Sequence, residues 1–413
     1  MTKCRNLIIF ISFFLVIILT AGILIPVFGT SDKKTGNDSS DISDVQWINE
    51  LPAFSTELDS KAAVLMDADS GTVFFEKNSH ERLAPASVTK VMTLLLIAEA
   101  LESGRITFDD VVTISEKAAG MGGSQMYMEP GETHTVDELL TGIAMVSAND
   151  ACVAVAEFIS GSVDIFVEQM NSRAKELKLE NTHFVNTNGL PVADHYSSAY
   201  DIAIMSAKLV ACKTVIPYLT APEGVIEVGI EGKEKTSLEM INTNKLLKTY
   251  NGAFGIKTGF TQDAGYCLSA AAEREGLTLI AVVLGASSSK IRFDETAQLL
   301  DYGYANIESV NIASKGEYVG NVTVNKGVYV STDLKTDRDI KILVPRGNGN
   351  QVSFSIHPAE DLTAPVKEGD IAGSIVIKRN DKTIGKYDLL SASNVEKASI
   401  PARISRKIDS ILH

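Results

Sequence analysis

The stretch that most constrains this chain is Ser87-Val88-Thr89-Lys90, followed by Val91, Met92, Leu94, Leu95, Ile97, Ala98 and Leu101. An apolar run of this length, opened by a serine just after Pro85-Ala86, predicts a buried helix with Ser87 at its start. Residues three apart on a helix share a face, so Lys90 comes within reach of the Ser87 hydroxyl. The fold must therefore hold a lysine at the edge of its core, beside a hydroxyl nucleophile.

Two later groups complete a pattern, Ser147-Ala148-Asn149 and Lys257-Thr258-Gly259. Each is short enough to recur by chance. Ser-x-x-Lys also occurs at Ser31/Lys34, Ser172/Lys175 and Ser287/Lys290, Lys-Thr-Gly at Lys34-Thr35-Gly36, and Ser-x-Asn at Ser309/Asn311. Context separates the copies, because only Ser87 opens a buried helix, whereas Lys34-Thr35-Gly36 lies in a polar linker and Ser172/Lys175 in a charged helix.

The chemistry explains why these residue types belong together. Burial and a second cation such as Lys257 both depress the Lys90 pKa and favour the neutral amine, which can take the Ser87 proton. Ser87 then attacks a carbonyl, and its own N–H at the helix start helps stabilise the oxyanion, a donor worth roughly 3 kcal/mol in the barrier. Asn149 is suited to hold a peptide-like backbone. Ser147 is suited to pass a proton between Lys90 or Lys257 and a leaving amine, and Lys257 with Thr258 attracts a carboxylate. The whole reads as serine acyl transfer.

Strand patterns place the third motif. Gly255 to Gly259 is followed by a turn, a strand from Tyr266 to Ala272, the turn Glu273 to Gly276 and an apolar strand from Leu277 to Leu284, an antiparallel meander. Ala62 to Asp67 and Thr72 to Glu76 form another hairpin. Phe293 to Tyr304 reads as a closing helix, and the chain between Val88 and about Lys213 as mainly helical. One antiparallel sheet built from both ends of residues 51–306, with a helical insertion, is the expected α+β catalytic domain. From residue 307 to 395, short alternating runs such as Val322/Val324, Val328/Val330, Ile340/Ile342/Val344 and Val352/Phe354/Ile356 predict a β-rich domain without convergent chemistry.

The ends carry targeting signals. Lys3 and Arg5 precede an uncharged stretch whose core, Leu7 to Phe28, is long enough to cross a bilayer. Residues 1–29 are therefore a signal peptide or membrane anchor and 30–50 a linker, so the chain is expected to be exported. In the tail, 396–413, Ile404, Ile408, Ile411 and Leu412 share one face while Arg403, Arg406 and Lys407 take the other, a short basic amphipathic helix suited to a membrane surface or to plain capping. The formal charge of −14 argues against a nucleic-acid partner. Outside Cys4, the cysteines Cys152, Cys212 and Cys267 are odd in number, and the apolar settings of Cys152 and Cys267 favour buried free thiols. The histidines, His183 and His195 among them, lack metal-ligand spacing. Ser198-Ala199-Tyr200-Asp201 reads as a helix capping box.

The chain resembles the serine D-alanyl-D-alanine carboxypeptidases of the low-molecular-mass penicillin-binding protein family over roughly residues 50–395. Ala84-Pro85-Ala86-Ser87-Val88-Thr89-Lys90-Val91-Met92-Thr93, Met145 to Ala151 and Gly255 to Thr261 carry the resemblance, with support at Thr182-His183-Phe184, Asn188-Gly189-Leu190 and Tyr196 to Asp201. It implies the penicillin-recognising transpeptidase fold followed by a small β-rich domain. It also implies Ser87 as nucleophile, Lys90 as base, Ser147 as proton relay, and Asn149, Lys257, Thr258 and Gly259 as substrate-binding residues. The Phe260 N–H becomes a second oxyanion donor, and Arg292 resembles the arginine that binds the substrate's terminal carboxylate.

The implied substrate is the D-Ala-D-Ala end of the peptidoglycan stem pentapeptide, at the extracytoplasmic face of the membrane or in the wall, with β-lactams as covalent inhibitors and no cofactor or metal. A class A β-lactamase shares the three motifs but adds a glutamate that activates the deacylating water. Its Glu-x-x-Leu-Asn pattern almost appears at Glu176-Leu177-Lys178-Leu179-Glu180-Asn181, where Glu180 stands in place of Asn, and a helix end explains that stretch better. A non-turnover penicillin-binding sensor or scaffold is the alternative from another class.

Overall fold

The computed structural model describes residues 45–230 and 232–404. The expected N-terminal anchor, most of the linker and the tail beyond residue 404 lie outside the described residues. After a short turn of helix at Val45–Glu50, the chain forms a hairpin of β1 (Ala62–Asp67) and β2 (Val73–Lys77). The block that follows comprises α1 (Lys90–Glu102), β3 (Val111–Thr113), α2 (Glu116–Ala119), β4 (Thr133–Thr135), α3 (Val136–Met145), α4 (Asn149–Ser160), α5 (Val163–Glu176), α6 (Ala199–Ala211) and α7 (Ile216–Thr220). The hairpin β5 (Glu223–Val228) and β6 (Thr236–Ile241) and the short α8 (Leu246–Thr249) lead into the meander β7 (Ala253–Thr261), β8 (Gly265–Arg274) and β9 (Leu277–Ala286), closed by α9 (Ser289–Asn306).

The meander joins the hairpin in one five-stranded sheet of order β2-β1-β9-β8-β7, antiparallel throughout. Successive strand residues face opposite sides, and both sides are covered. Ala62, Val64 and Met66 of β1 with Ile280, Val282 and Leu284 of β9 face the helical block, whereas Ala63 and Leu65 with Leu279, Ala281 and Val283 face Leu299, Leu300 and Tyr304 of α9. Double coverage explains why β1 and β9 read as unbroken apolar runs. α1 runs through the helical block, with Val91, Met92, Leu94, Ile97 and Ala98 fully buried, as a helix apolar all round requires.

Helix starts are capped by side chains that satisfy otherwise orphaned N–H groups. Thr135 and Glu138 form a reciprocal capping box on α3, and Ser162, Ser198 and Ser288 cap α5, α6 and α9. The box expected at Ser198 is only half made. Ser198 accepts from Asp201 N–H, but the Asp201 carboxylate turns to the Asn181 N–H and the Thr182 hydroxyl.

The mainly helical reading of residues 88–213 holds except for β3 and β4, three-residue strands too short to leave a periodic signal.

Beyond α9, β10 (Ile307–Ala313) pairs with β13 (Ile340–Pro345). β11 (Tyr318–Thr323), β12 (Ser331–Lys335), β14 (Val352–Pro358), β15 (Ile371–Arg379) and β16 (Lys382–Ser391) form a five-stranded sheet of order β11-β12-β16-β15-β14. Leu334, Ile342, Val344, Ile375, Ile377 and Leu389 make its core. The strand expected around Val328 and Val330 is instead a loop, closed by Val324 N–H donating to the Val330 carbonyl, which leaves both valines exposed. Arg346 ties this module to α9 and to the turn between β8 and β9, with Nε donating to the Tyr304 carbonyl at 2.7 Å and Nη2 3.0 Å from Glu275.

Candidate active site

Ser87 sits in a tight 3-10 turn, Ala86–Thr89, that runs into α1. Ala86 takes a left-handed φ of 48°, unusual for a residue with a Cβ. The opposing chain makes room for that elbow, since a Cβ on Gly189 would lie 1.8 Å from the Ala86 carbonyl oxygen. Gly189 is glycine because the backbones of the two segments touch.

Lys90 is fully buried, and its Nζ lies 3.1 Å from Ser87 Oγ, 2.7 Å from Asn149 Oδ1 and 2.8 Å from the Asn188 carbonyl. A neutral amine has two hydrogens and one lone pair. Two fixed acceptors therefore leave the lone pair aimed at the Ser87 hydroxyl. Burial pushes the Lys90 amine down to about 8, against the pull of Cys152 and Asp150. One turn along α1, Thr93 Oγ1 donates to the Thr187 carbonyl at 2.6 Å and fixes the segment that presents Asn188.

The second group lies at the junction of α3 and α4. Ser147 has a φ of 65°, and its buried hydroxyl has no hydrogen-bond partner. Asn149 begins α4, and its Nδ2 donates to the Gly122 carbonyl at 2.7 Å, which orients Oδ1 toward Lys90. The loop bearing Gly122 is held in turn by the Asp150 carboxylate, which accepts from the N–H groups of Met126 and Tyr127. Beneath this floor the Cys152 thiol is pushed up to about 11 by burial, which leaves it inert as a nucleophile.

β7 supplies the third group. Lys257 is almost fully buried, and its amine is pushed down to about 7, first by burial and then by the Lys90 cation. Thr258 shares a hydroxyl hydrogen bond of 2.7 Å with Thr243. A Cβ on Gly259 would stand 3.0 Å from the Pro85 carbonyl and 3.1 Å from the Ser87 and Val88 nitrogens, so only a bare backbone lets β7 approach Ser87 this closely. Phe260 follows, half-exposed, with its ring 4.3 Å from that of Tyr266. Arg292 of α9 packs against β7 and β8, Nη1 donating to the carbonyls of Gly259 (2.8 Å) and Cys267 (3.2 Å), while its buried Nε has no partner.

The structure thus gathers Ser87, Lys90 and Asn149 by direct hydrogen bonds, and brings β7 against Ser87 through Gly259. Ser147 and Lys257 are buried but make no side-chain hydrogen bond to these groups. Sequence reasoning missed the Asn188 carbonyl, whose signal was only the neighbouring Asn-Gly. His195, read from the sequence as a structural or surface histidine, is structural: it takes the Val185 N–H on Nδ1 at 3.0 Å and therefore presents Nε2–H to Thr89 Oγ1 at 2.8 Å. Burial lowers that imidazole to about 4 and keeps it neutral. Glu176, the candidate deacylating carboxylate of the β-lactamase reading, is spent on an exposed pair with Arg173 at 2.8 Å. Among the described residues no cluster of His, Cys, Asp or Glu is arranged to hold a metal ion.

Comparison with known proteins shows the family. Residues 49–288 match the Peptidase S11 family model, described as D-alanyl-D-alanine carboxypeptidase, and residues 308–397 match the model of the penicillin-binding protein 5 C-terminal domain. The chain is 42% identical over 349 residues to the D-alanyl-D-alanine carboxypeptidase DacF of Bacillus subtilis, covering 84% of this chain and 89% of that one. It is 33% identical over 365 residues to DacA of Escherichia coli, covering 86% and 89%. Penicillin-binding protein 5 from Haemophilus influenzae superposes with a TM-score of 0.68 at 32% identity, covering 84% of this chain and 100% of that one. With sequence, sheet topology and both matched segments in agreement, the chain belongs to the peptidase S11 family of serine-type D-alanyl-D-alanine carboxypeptidases.

Proposed function

We propose that this protein removes the terminal D-alanine from peptidoglycan stem pentapeptides through an acyl-enzyme on Ser87. The carrying observation is the Lys90 amine, 3.1 Å from Ser87 Oγ, whose two hydrogens in the neutral form are committed to Asn149 and Asn188. Ser87 Oγ attacks the carbonyl carbon of the penultimate D-alanine as its proton passes to Lys90. The N–H groups of Ser87 and Phe260 receive the oxyanion, while Lys257, Thr258 and Arg292 draw the terminal carboxylate. The unpartnered Ser147 hydroxyl relays the proton to the leaving amine, D-alanine departs, and water then attacks the ester to release the shortened peptide and restore Ser87. β-Lactams, which present the same amide geometry, acylate the same oxygen.

In this reading residues 51–306 are the catalytic domain and 307–395 a spacer that carries it clear of the membrane. The N-terminal segment exports the chain to the extracytoplasmic side, and the basic tail touches lipid. Residues 400–404 are helical, with Ile400 and Ile404 exposed, as a lipid-facing tail requires. The test is release of D-alanine from a diacyl-Lys-D-Ala-D-Ala peptide by the full chain in detergent, with Ser87→Ala as control. Release that disappears in the variant is expected. A stable penicilloyl adduct on Ser87 without D-alanine release would refute turnover and make the protein a sensor or scaffold.

A further inference from the structure

A groove of about 500 Å3 lies between the segment from Ile241 to Thr249 and Arg292 of α9. Thr243 and Arg292 line it, Ile241 and Leu247 supply apolar wall, and Lys245 and Lys248 add two amines. Thr243 ties the groove to the site described above, its hydroxyl bonded to that of Thr258 and its N–H donating to the Met145 carbonyl, two residues before Ser147. The volume falls in the range of small-molecule sites, and the methyl group of a leaving D-alanine would fill only a small part of it.

The groove's chemistry is cationic and incomplete. Arg292 is more than nine-tenths buried, lines the groove and keeps an unpartnered Nε–H. A buried donor without an acceptor carries a desolvation cost that an incoming oxygen removes. Lys245 has no acidic partner among the described residues. Lys248 has only Glu223, at 3.7 Å with both side chains largely exposed, a pair of little strength.

We infer that this groove is a subsite for the leaving residue, and that the enzyme also cleaves acyl-D-Ala–D-residue bonds whose leaving residue bears an extended anionic side chain. The inference rests on the proposed reading, in which the terminal carboxylate lies at Lys257, Thr258 and Arg292. The side chain of the same D-residue then runs past Thr243, its methylenes along Ile241 and Leu247 and its distal charge at Lys245 and Lys248. The reaction is otherwise unchanged: the amide C–N bond breaks, Ser87 takes the acyl group, the leaving nitrogen takes the proton, and water hydrolyses the ester.

The test compares kcat/KM of the full chain for acyl-D-Ala-D-Glu, acyl-D-Ala-D-Gln and acyl-D-Ala-D-Ala. The D-Gln peptide matches D-Glu in size without its charge. A D-Glu over D-Gln preference of roughly three- to fivefold is expected at low salt, shrinking as salt screens it. In Lys245→Glu/Lys248→Glu the ratio should fall below one, and in Lys245→Gln/Lys248→Gln it should return to about one. Equal rates for D-Glu and D-Gln in the unmodified protein, or a preference that survives charge reversal, would overturn the subsite while D-alanine release from acyl-D-Ala-D-Ala leaves the carboxypeptidase reading standing. Absence of that release would overturn both.

Discussion

Replacing Asn149 by aspartate tests whether Lys90 works as a neutral amine. The change is nearly isosteric and puts a carboxylate oxygen where Oδ1 now stands, 2.7 Å from Lys90 Nζ. Coulomb's law gives about 6 kcal/mol for such a pair at an effective dielectric of about 20. Solvation of the new carboxylate absorbs much of this, and a close opposite charge shifts a pKa by about 1–3 units. Starting from about 8, roughly a tenth of Lys90 is neutral at pH 7. A rise of 1–3 units cuts that fraction roughly 10- to 1,000-fold. Acylation by a fluorescent penicillin, followed across the pH range, should fall by such a factor at neutral pH and recover as the medium becomes alkaline. The lost bond from Nδ2 to Gly122 adds a penalty independent of pH. A profile merely lowered in parallel at every pH would refute the neutral-lysine mechanism, because only the protonation of Lys90 moves the acid limb.

Two further substitutions probe the same machinery. Lys257→Met should abolish turnover yet raise Tm: with the folded pKa near 7 and the unfolded one near 10.5, burial of the amine is a full penalty, up to about 5 kcal/mol, below pH 7 and fades as pH rises toward 10.5. Thermal melts should show the gain shrinking across that window, and a pH-independent gain would contradict the assignment. Gly259→Ala should slow acylation roughly 100-fold with an unchanged circular dichroism spectrum, since its Cβ meets the Ser87 turn at about 3 Å; near-normal acylation would show that β7 can retreat without harm to the oxyanion site.

Much of this architecture was legible because its signals are side-chain patterns. The apolar runs of β1, β9 and α1 announce burial, and the turn at Glu273–Gly276 announces the meander. What escaped notice is carried by backbone or by distant partners. The Asn188 carbonyl has no residue-type signature, and it reaches Lys90 only because Thr93 and Gly189 fix the loop around it. The hairpin β5–β6 exposes most of its residues, so it lacks the alternation that marks a half-buried strand. Arg292 was expected at the substrate, and the motif around it held no sign that two of its hydrogen bonds go to the carbonyls of β7 and β8.

The pairing of β1 with β9, Ala62 opposite Leu284, sets when activity can arise. Long-range strand pairing is slow because the intervening chain must close before the contact forms. A growing chain that has emerged only as far as α8 carries Ser87, Lys90 and Asn149 but lacks Lys257 and Gly259, the strand β9 that pairs with β1 and the helix α9 that covers one of its faces. On the proposed reading it has no complete acylation site, and it leaves uncovered the Ala63 and Leu65 face of a strand that the finished protein buries completely. On the proposed reading Ser87 is made early and armed late, so incomplete chains should react with neither wall peptide nor antibiotic, and reactivity toward penicillin should mark chains that have closed their central sheet.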